Sequence, residues 1–425
     1  MRRAVLALTL AAPLVAPAAA AAAWSSPRQV SASGFTQEVA VDAAGRVTLL
    51  WQSSSPFAPQ RPVMVSEAHL GRRRLTTTTL SRAGTSMALA VNAAGAAVAA
   101  WFEPDGGRCG VPIFCAGALR VSTRPAGGRF GAPVTLSSAV IGGVAAALGP
   151  RGDALVAGLA SGGSVPGGGH LVLFARGGGD WQQTTPDEAN VGSNVGGVPA
   201  VAVGGDGSAL AVWARPADQQ AAGGTFVVRR AGRGAFGPAT RLSGESATEV
   251  AAHVDARGRD LVAWDDGSMR AARRTRGAWR SQRLPGLGGR FELAAAPSGA
   301  AVLLWSAGDR LGAGDAEVLG SRRSPGGAFR RPVRVLTAGA AGAGRFDVAL
   351  STPERALIAW AQPSGARALR VATMFPVGRP REARLVSRSA VVPRLATGRR
   401  GAALAFSRFP PGPPAQVRLM LSTGP

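Results

Sequence analysis

A pattern of about twelve residues recurs eight times along this chain, and no other feature restricts its fold as much. Each copy runs from a small-apolar stretch through a turn of Asp, Asn, Gly or Pro character into an apolar run. The copies read AVDAAGRVTLLW (40–51), AVNAAGAAVAAW (90–101), ALGPRGDALVAG (147–158) and AVGGDGSALAVW (202–213). They continue as HVDARGRDLVAW (253–264), AAAPSGAAVLLW (294–305), ALSTPERALIAW (349–360) and, one residue shorter, ATGRRGAALAF (396–406). The turn positions Gly45, Gly95, Gly152, Gly207, Gly258, Gly299, Glu354 and Gly401 are 50, 57, 55, 51, 41, 55 and 47 residues apart.

A second pattern follows each copy. LRVSTRPAGGRFGAPVTLS (119–137), FVVRRAGRGAFGPATRLS (226–243) and VLGSRRSPGGAFRRPVRVL (318–336) each read as strand, Arg/Gly-rich turn, and strand opened by an aromatic. LVLFARGGGDW (171–181), MRAARRTRGAW (269–279) and LRVATMFPVGRPREARLVS (369–387) are weaker matches. Each repeat therefore supplies four short antiparallel strands, the unit of a β-propeller blade. No 3.6-residue periodicity appears beyond the N-terminus, which disfavours helical solenoids. One blade cannot cover both its faces, so each needs a neighbour, and a ring removes the two bare ends.

The chain ends agree with a ring. The C-terminus stops after a third strand (417–422), while Trp24–Ser31 matches the fourth-strand stretch Phe130–Ser137. An N-terminal strand completing the last blade is expected, giving eight blades, or seven if the short unit between Gly258 and Gly299 is degenerate. Pro27, Pro133, Pro238 and Pro332 fall in the expected fourth, outermost strand, where a missing N–H costs no ladder bond.

Residues 1–23 read Met-Arg-Arg, then an uncharged Ala/Leu/Val run, the form of a secretory signal, leaving 24–425 as a single propeller domain. The alternative is a retained anchor, although Pro13 and Pro17 interrupt the run. No later stretch is long and apolar enough to insert in a membrane, and a secreted or envelope-associated protein is expected. In that compartment Cys109 and Cys115 pair as a loop-stapling disulfide; two thiols with no neighbouring His make a poor metal site.

The turn in Val41-Asp-Ala-Ala-Gly-Arg-Val-Thr-Leu-Leu-Trp51 resembles the Asp-box hairpin of bacterial sialidase-like and related exported propeller repeats. Gly204, Ala296, Ser351 and Gly398 stand where Asp42, Asn92 and Asp255 stand in other copies, so the likeness implies the fold and assigns no catalytic residue. A sialidase, as that family implies, needs a Tyr nucleophile, and this chain has no Tyr. The Gly-x-Ser-x-Gly, HExxH, P-loop and dinucleotide motifs are also missing. The three histidines, His69, His170 and His253, lie in different repeats, so neither a metal nor another cofactor is expected. All nine tryptophans occupy two repeat positions, which assigns them to packing between blades.

The candidate site lies at the start of the first strands. Gly289-Arg290-Phe291-Glu292-Leu293 and Gly344-Arg345-Phe346-Asp347-Val348 repeat one another. Glu292, Asp347 and Glu38 each stand seven residues before the turn position, placing them together at the mouth of a central channel with Arg290 and Arg345 beside them. Arg–carboxylate pairing that seals the channel is one reading; a polar pocket for a small ligand or cation is the sharper one. The longer connections, among them 53–60, 103–117 and 160–170, share that face and suggest a recognition surface.

Composition adds charge. The net +24 arises from 48 basic against 24 acidic residues, and every basic residue is Arg. Such a skew accompanies GC-rich coding, so part of the charge reflects coding rather than a partner. Clusters such as Arg72–Arg74 and Arg322–Arg323 beside the third-to-fourth hairpins could hold an anionic wall polymer, lipid headgroups or polysaccharide, and the partner expected of the chain is an anionic envelope polymer, a glycan or a protein. Nucleic acid is not expected of an exported chain without an aromatic stacking surface. The reading is a monomeric, secreted, non-catalytic propeller acting as a binding module. The alternative is a polysaccharide-active hydrolase or lyase using the carboxylates at the channel mouth.

Overall fold

A computed structural model describes residues 23–53, 61–105, 116–161, 169–184, 190–192, 198–215, 223–307, 317–337, 346–353, 355–362, 368–374, 380–409 and 415–423. Every regular element among them is a strand, and no helix long and apolar enough to cross a membrane occurs there. The leader, Cys109, Cys115 and Arg345 lie outside the described residues, as do most residues of the long connections.

The strands form seven antiparallel sheets. Five have four strands in sequence order and span 35–81, 200–243, 249–287, 291–336 and 346–387. The eight-stranded sheet departs from the expectation of one sheet per repeat. Its strand Val134–Leu148 pairs with Gly117–Arg124 and then runs on to pair with Ala154–Ser161, joining repeats two and three. Glycines bend this strand instead of ending it: Gly142 and Gly143 take φ of +131° and +62° among its register shifts. In the last sheet, Ala390–Gly398, Gly401–Arg408 and Gln416–Thr423 are joined by the N-terminal strands Ala23–Trp24 and Arg28–Ser31. Arg28 faces Leu419 and Trp24 faces Ser422 across that edge.

The Asp-type turns form as the sequence implies. Asp42 Oδ1 accepts the amide of Arg46 at 2.8 Å, and Asn92 Oδ1 accepts that of Ala96 at 3.0 Å. Gly95 closes its turn at φ +85°, and a Cβ there would sit 2.6 Å from Asp42 Oδ2, so two constraints demand glycine. Repeat four lacks the leading Asp, and Asp206 substitutes by accepting the Ser208 amide at 2.9 Å. The prolines differ slightly from expectation. Pro27, Pro133, Pro238 and Pro332 precede their strands (Arg28–Ser31, Val134–Leu148, Thr240–Ser243, Val333–Leu336) instead of lying within them, which spares the ladder a missing donor.

Packing is between sheets. Eight apolar clusters are found among the described residues, and each draws on two consecutive repeats; one of them joins repeat eight to repeat one. Trp51, Trp101, Trp213, Trp264, Trp305 and Trp360 are 0–4% exposed, and Phe406 takes the same position in the eighth copy. Each such ring removes roughly 150–250 Å² from water, which makes this one position the main source of inter-sheet adhesion. The first strands lie side by side in repeat order, and Phe35–Val41 touches both Thr85–Val91 and Ala390–Gly398. The architecture is all-β and propeller-like.

Candidate functional site

The first strands bring charged side chains together at the end opposite the Asp-type turns. Glu38 pairs with Leu50, Glu292 with Leu304 and Asp347 with Ala359, in each case the residue before the buried Trp. In repeat eight the same position is Arg394, opposite Ala405, the residue before Phe406. In repeats two to five it is Ala88, Ala145, Ala200 and Ala251. One backbone position is therefore charged in four consecutive repeats, counting eight as next to one, and alanine in the other four.

Arg394 organises the charged arc. Its Nη1 lies 3.9 Å from Glu292 Oε1, and its Nε donates to the carbonyl of Gln37 at 2.8 Å. Local backbone geometry makes this reach feasible. A register shift between Thr36 and Glu38 leaves Gln37 outside the ladder, so its carbonyl is open to a side-chain donor. A matching shift precedes Arg394, where Val392 has φ +51°, a strained value for a β-branched residue. Burial works against the Arg394 charge, but Glu38, Asp347, Glu292 and Glu249 outweigh it and raise its pKa.

The carboxyls divide into two kinds. Glu292 pairs with Arg290 Nη2 at 3.1 Å and remains part-exposed. Asp347 is 8% exposed; its Oδ1 accepts the Val348 amide at 2.7 Å and its Oδ2 the Leu395 amide at 2.6 Å. Burial, reinforced by Glu292, pushes Asp347 up to about 8 against the pull of Arg394 and the Leu395 amide. Glu249, from repeat five, accepts the Phe291 amide at 3.0 Å, and burial raises it to about 7 despite that bond. Glu38 is half-buried and also shifted upward, by burial first and by Glu292, with Arg394 opposing.

Sequence reasoning thus placed Glu38, Glu292, Asp347 and Arg290 in one neighbourhood and missed Arg394 and Glu249. Arg394 was readable: it stands seven before Gly401, in the same register, but as a cation among acids. Glu249 lies nine before Gly258, off that register, and only the strand packing brings it in. Among the described residues no group of three His, Cys, Asp or Glu side chains has metal-holding geometry. His253 hydrogen-bonds the Ala296 carbonyl at 3.1 Å and lines a cavity of about 330 Å³ at the turn end of the first strands. Its other walls are mostly apolar, among them Ala147, Val201, Ala202 and Ala252, with the polar Asn92.

No protein-family model matches this chain, and no curated protein sequence matches it. Solved structures do. A lectin from Burkholderia pseudomallei is 14% identical, with 83% of this chain and 98% of that one covered at a TM-score of 0.50. A polysaccharide lyase is 9% identical, covering 94% and 99% at a TM-score of 0.49. A sialidase from Trypanosoma rangeli is 10% identical, covering 92% of this chain and 55% of its own at 0.45. At these identities the likeness concerns the fold alone. The chain is of the class of all-β, propeller-like repeat proteins.

Proposed function

We propose that this chain is an exported, non-catalytic binding module that takes a saccharide at the charged end of its central cavity. In this reading it is an eight-bladed, monomeric propeller, residues 24–425, closed by its N-terminal strands after removal of the leader. The observation that carries the proposal is the split of one register position into a charged arc (Glu292, Asp347, Arg394, Glu38) and an alanine arc. Carboxylates and guanidinium groups are planar partners for the hydroxyls of a sugar, and a small apolar wall leaves room for its C–H faces. The descriptions of several structural neighbours, a lectin, a lyase and a sialidase, concern glycans.

Hydrolysis is the weaker reading. A general acid must reach the leaving oxygen, yet both oxygens of Asp347 are occupied by backbone amides inside the fold. Glu292 is likewise held by Arg290. A glycan and envelope-polymer screen on the chain from Ala23 onward tests the proposal. At least one saccharide should bind, and Glu292→Gln should weaken it about tenfold or more, the loss of one charge-assisted hydrogen bond. Binding unchanged in both Glu292→Gln and Glu38→Gln dismisses the site; turnover of any bound polysaccharide dismisses the non-catalytic assignment.

A further inference from the structure

The two ends of the sheets carry charge differently. Antiparallel pairing puts the first-to-second and third-to-fourth turns of every repeat at the same end, and hydrogen bonds tie these turns together. Leu70 N donates to Gly45 O at 2.8 Å, Arg46 Nη2 to Gly128 O at 3.0 Å, and Arg259 Nη2 to Ser298 O at 2.8 Å. On this turn face Arg73, Arg129, Arg151, Arg257, Arg276 and Arg400 are exposed. Among the described residues none of the six has a carboxylate within ion-pair distance.

The carboxylates of the same face are turned inward. Asp42, Asp153, Asp255 and Asp260 are 1–4% exposed, and they cap turns or hold Arg233, Arg259 and Arg229 at 2.5–2.8 Å. Of the carboxylates described on this face only Asp180 and Asp206 are exposed. Coding bias adds arginine without regard to face, and it does not draw the acids of one face into the interior. The segregation is a property of the fold.

We propose that the turn face docks on an anionic lipid surface, its exposed guanidinium groups set against phosphate headgroups. The guanidinium groups are spread over repeats one, two, three, five and eight, so a planar array of charge meets more of them than a single polymer strand could. Among the described residues the turns carry none of the large exposed apolar side chains, Val134, Val198, Val333 and Leu385, so attachment through them is electrostatic. Docking in this sense leaves the charged end of the first strands pointing away from the membrane.

The test uses the chain from Ala23 onward, which contains every described strand, in co-sedimentation with lipid vesicles. Vesicles of phosphatidylcholine are compared with vesicles carrying about a third phosphatidylglycerol, at 0.05 M and 0.5 M salt. Binding is expected to the anionic vesicles alone and to disappear at high salt, where the Debye length falls to about 4 Å. The triple variant Arg73→Gln/Arg74→Gln/Arg400→Gln should lose about a hundredfold in affinity, from the known contribution per arginine near such a surface. Arg82→Gln, an exposed arginine beyond the turn face, should lose almost nothing. Equal binding to neutral vesicles, an equal loss in Arg82→Gln, or capture of soluble polyphosphate with no vesicle binding would each overturn the proposal. Circular dichroism of the variants verifies that the fold is intact, and saccharide binding is measured separately with the triple variant.

Discussion

The arc from repeat six through eight to one and the arc from two to five share a backbone and differ in chemistry. In both, the position in question lies on the first strand, just past the partner of the buried aromatic and opposite the residue that precedes that aromatic. In the first arc it carries Glu292, Asp347, Arg394 and Glu38; in the second, four alanines. The scaffold does not need charge there, since repeats three to five hold together through the same tryptophan packing, and repeats two and three through other apolar contacts, without it. Burying several carboxyls around one guanidinium costs desolvation that alanine avoids. The charged arc is therefore a local departure from what stability alone would select, the kind of departure associated with function.

Removing the cation from that arc should have the largest effect. Arg394→Met leaves Glu38, Glu292, Asp347 and Glu249 without their shared partner, and stability should fall by roughly 3 kcal/mol in denaturant titrations. A loss below about 0.5 kcal/mol would show that the carboxyls are already neutral and that the arcs differ less than the side chains suggest. A second effect appears in pH. Glu249 and Asp347 have folded values of about 7 and about 8, above their ordinary 4.5 and 3.8, so the native state binds protons that the unfolded chain has released. Their contribution is full below about pH 4 and is lost as pH rises through 7 to 8, so the midpoint of thermal unfolding should fall between pH 5 and 8.5. Glu249→Gln should remove up to about 1.4 kcal/mol per pH unit from that slope between pH 5 and 7. An unaltered slope assigns the protons elsewhere. The smallest effect is expected from extending charge into the other arc. Ala251→Arg places a second guanidinium two residues along the strand from Glu249, should change stability by less than about 1 kcal/mol, and should flatten the same slope. Destabilisation as large as that of Arg394→Met would mean that the alanine arc is packed shut.

Different physics made different parts of the molecule legible. The Trp-terminated runs were readable because a buried aromatic ends the run in seven of the eight copies and carries much of the inter-sheet packing, with Phe406 in one copy and Gly158 in another standing where the rest have Trp. Glu38, Glu292 and Asp347 shared a neighbourhood because a fixed offset from the turn fixes which side of the strand a residue faces. Arg394 escaped notice because a search for acids does not find the cation that acids require. The continuous strand Val134–Leu148 was unreadable for another reason: Gly142 and Gly143 look like a break, and only long-range pairing on both sides makes them a bend.

The sequence by itself determined the repeat, its strand content and the identity of the residues facing inward, because period-two strands and turn chemistry are local. Tertiary structure alone decided which carboxyls keep a proton, which arginines stay free on the turn face, and that Glu249 joins the cluster from off register. Those outcomes depend on desolvation and on charges brought close by strands far apart in the chain, and neither quantity is written in any local stretch of residues.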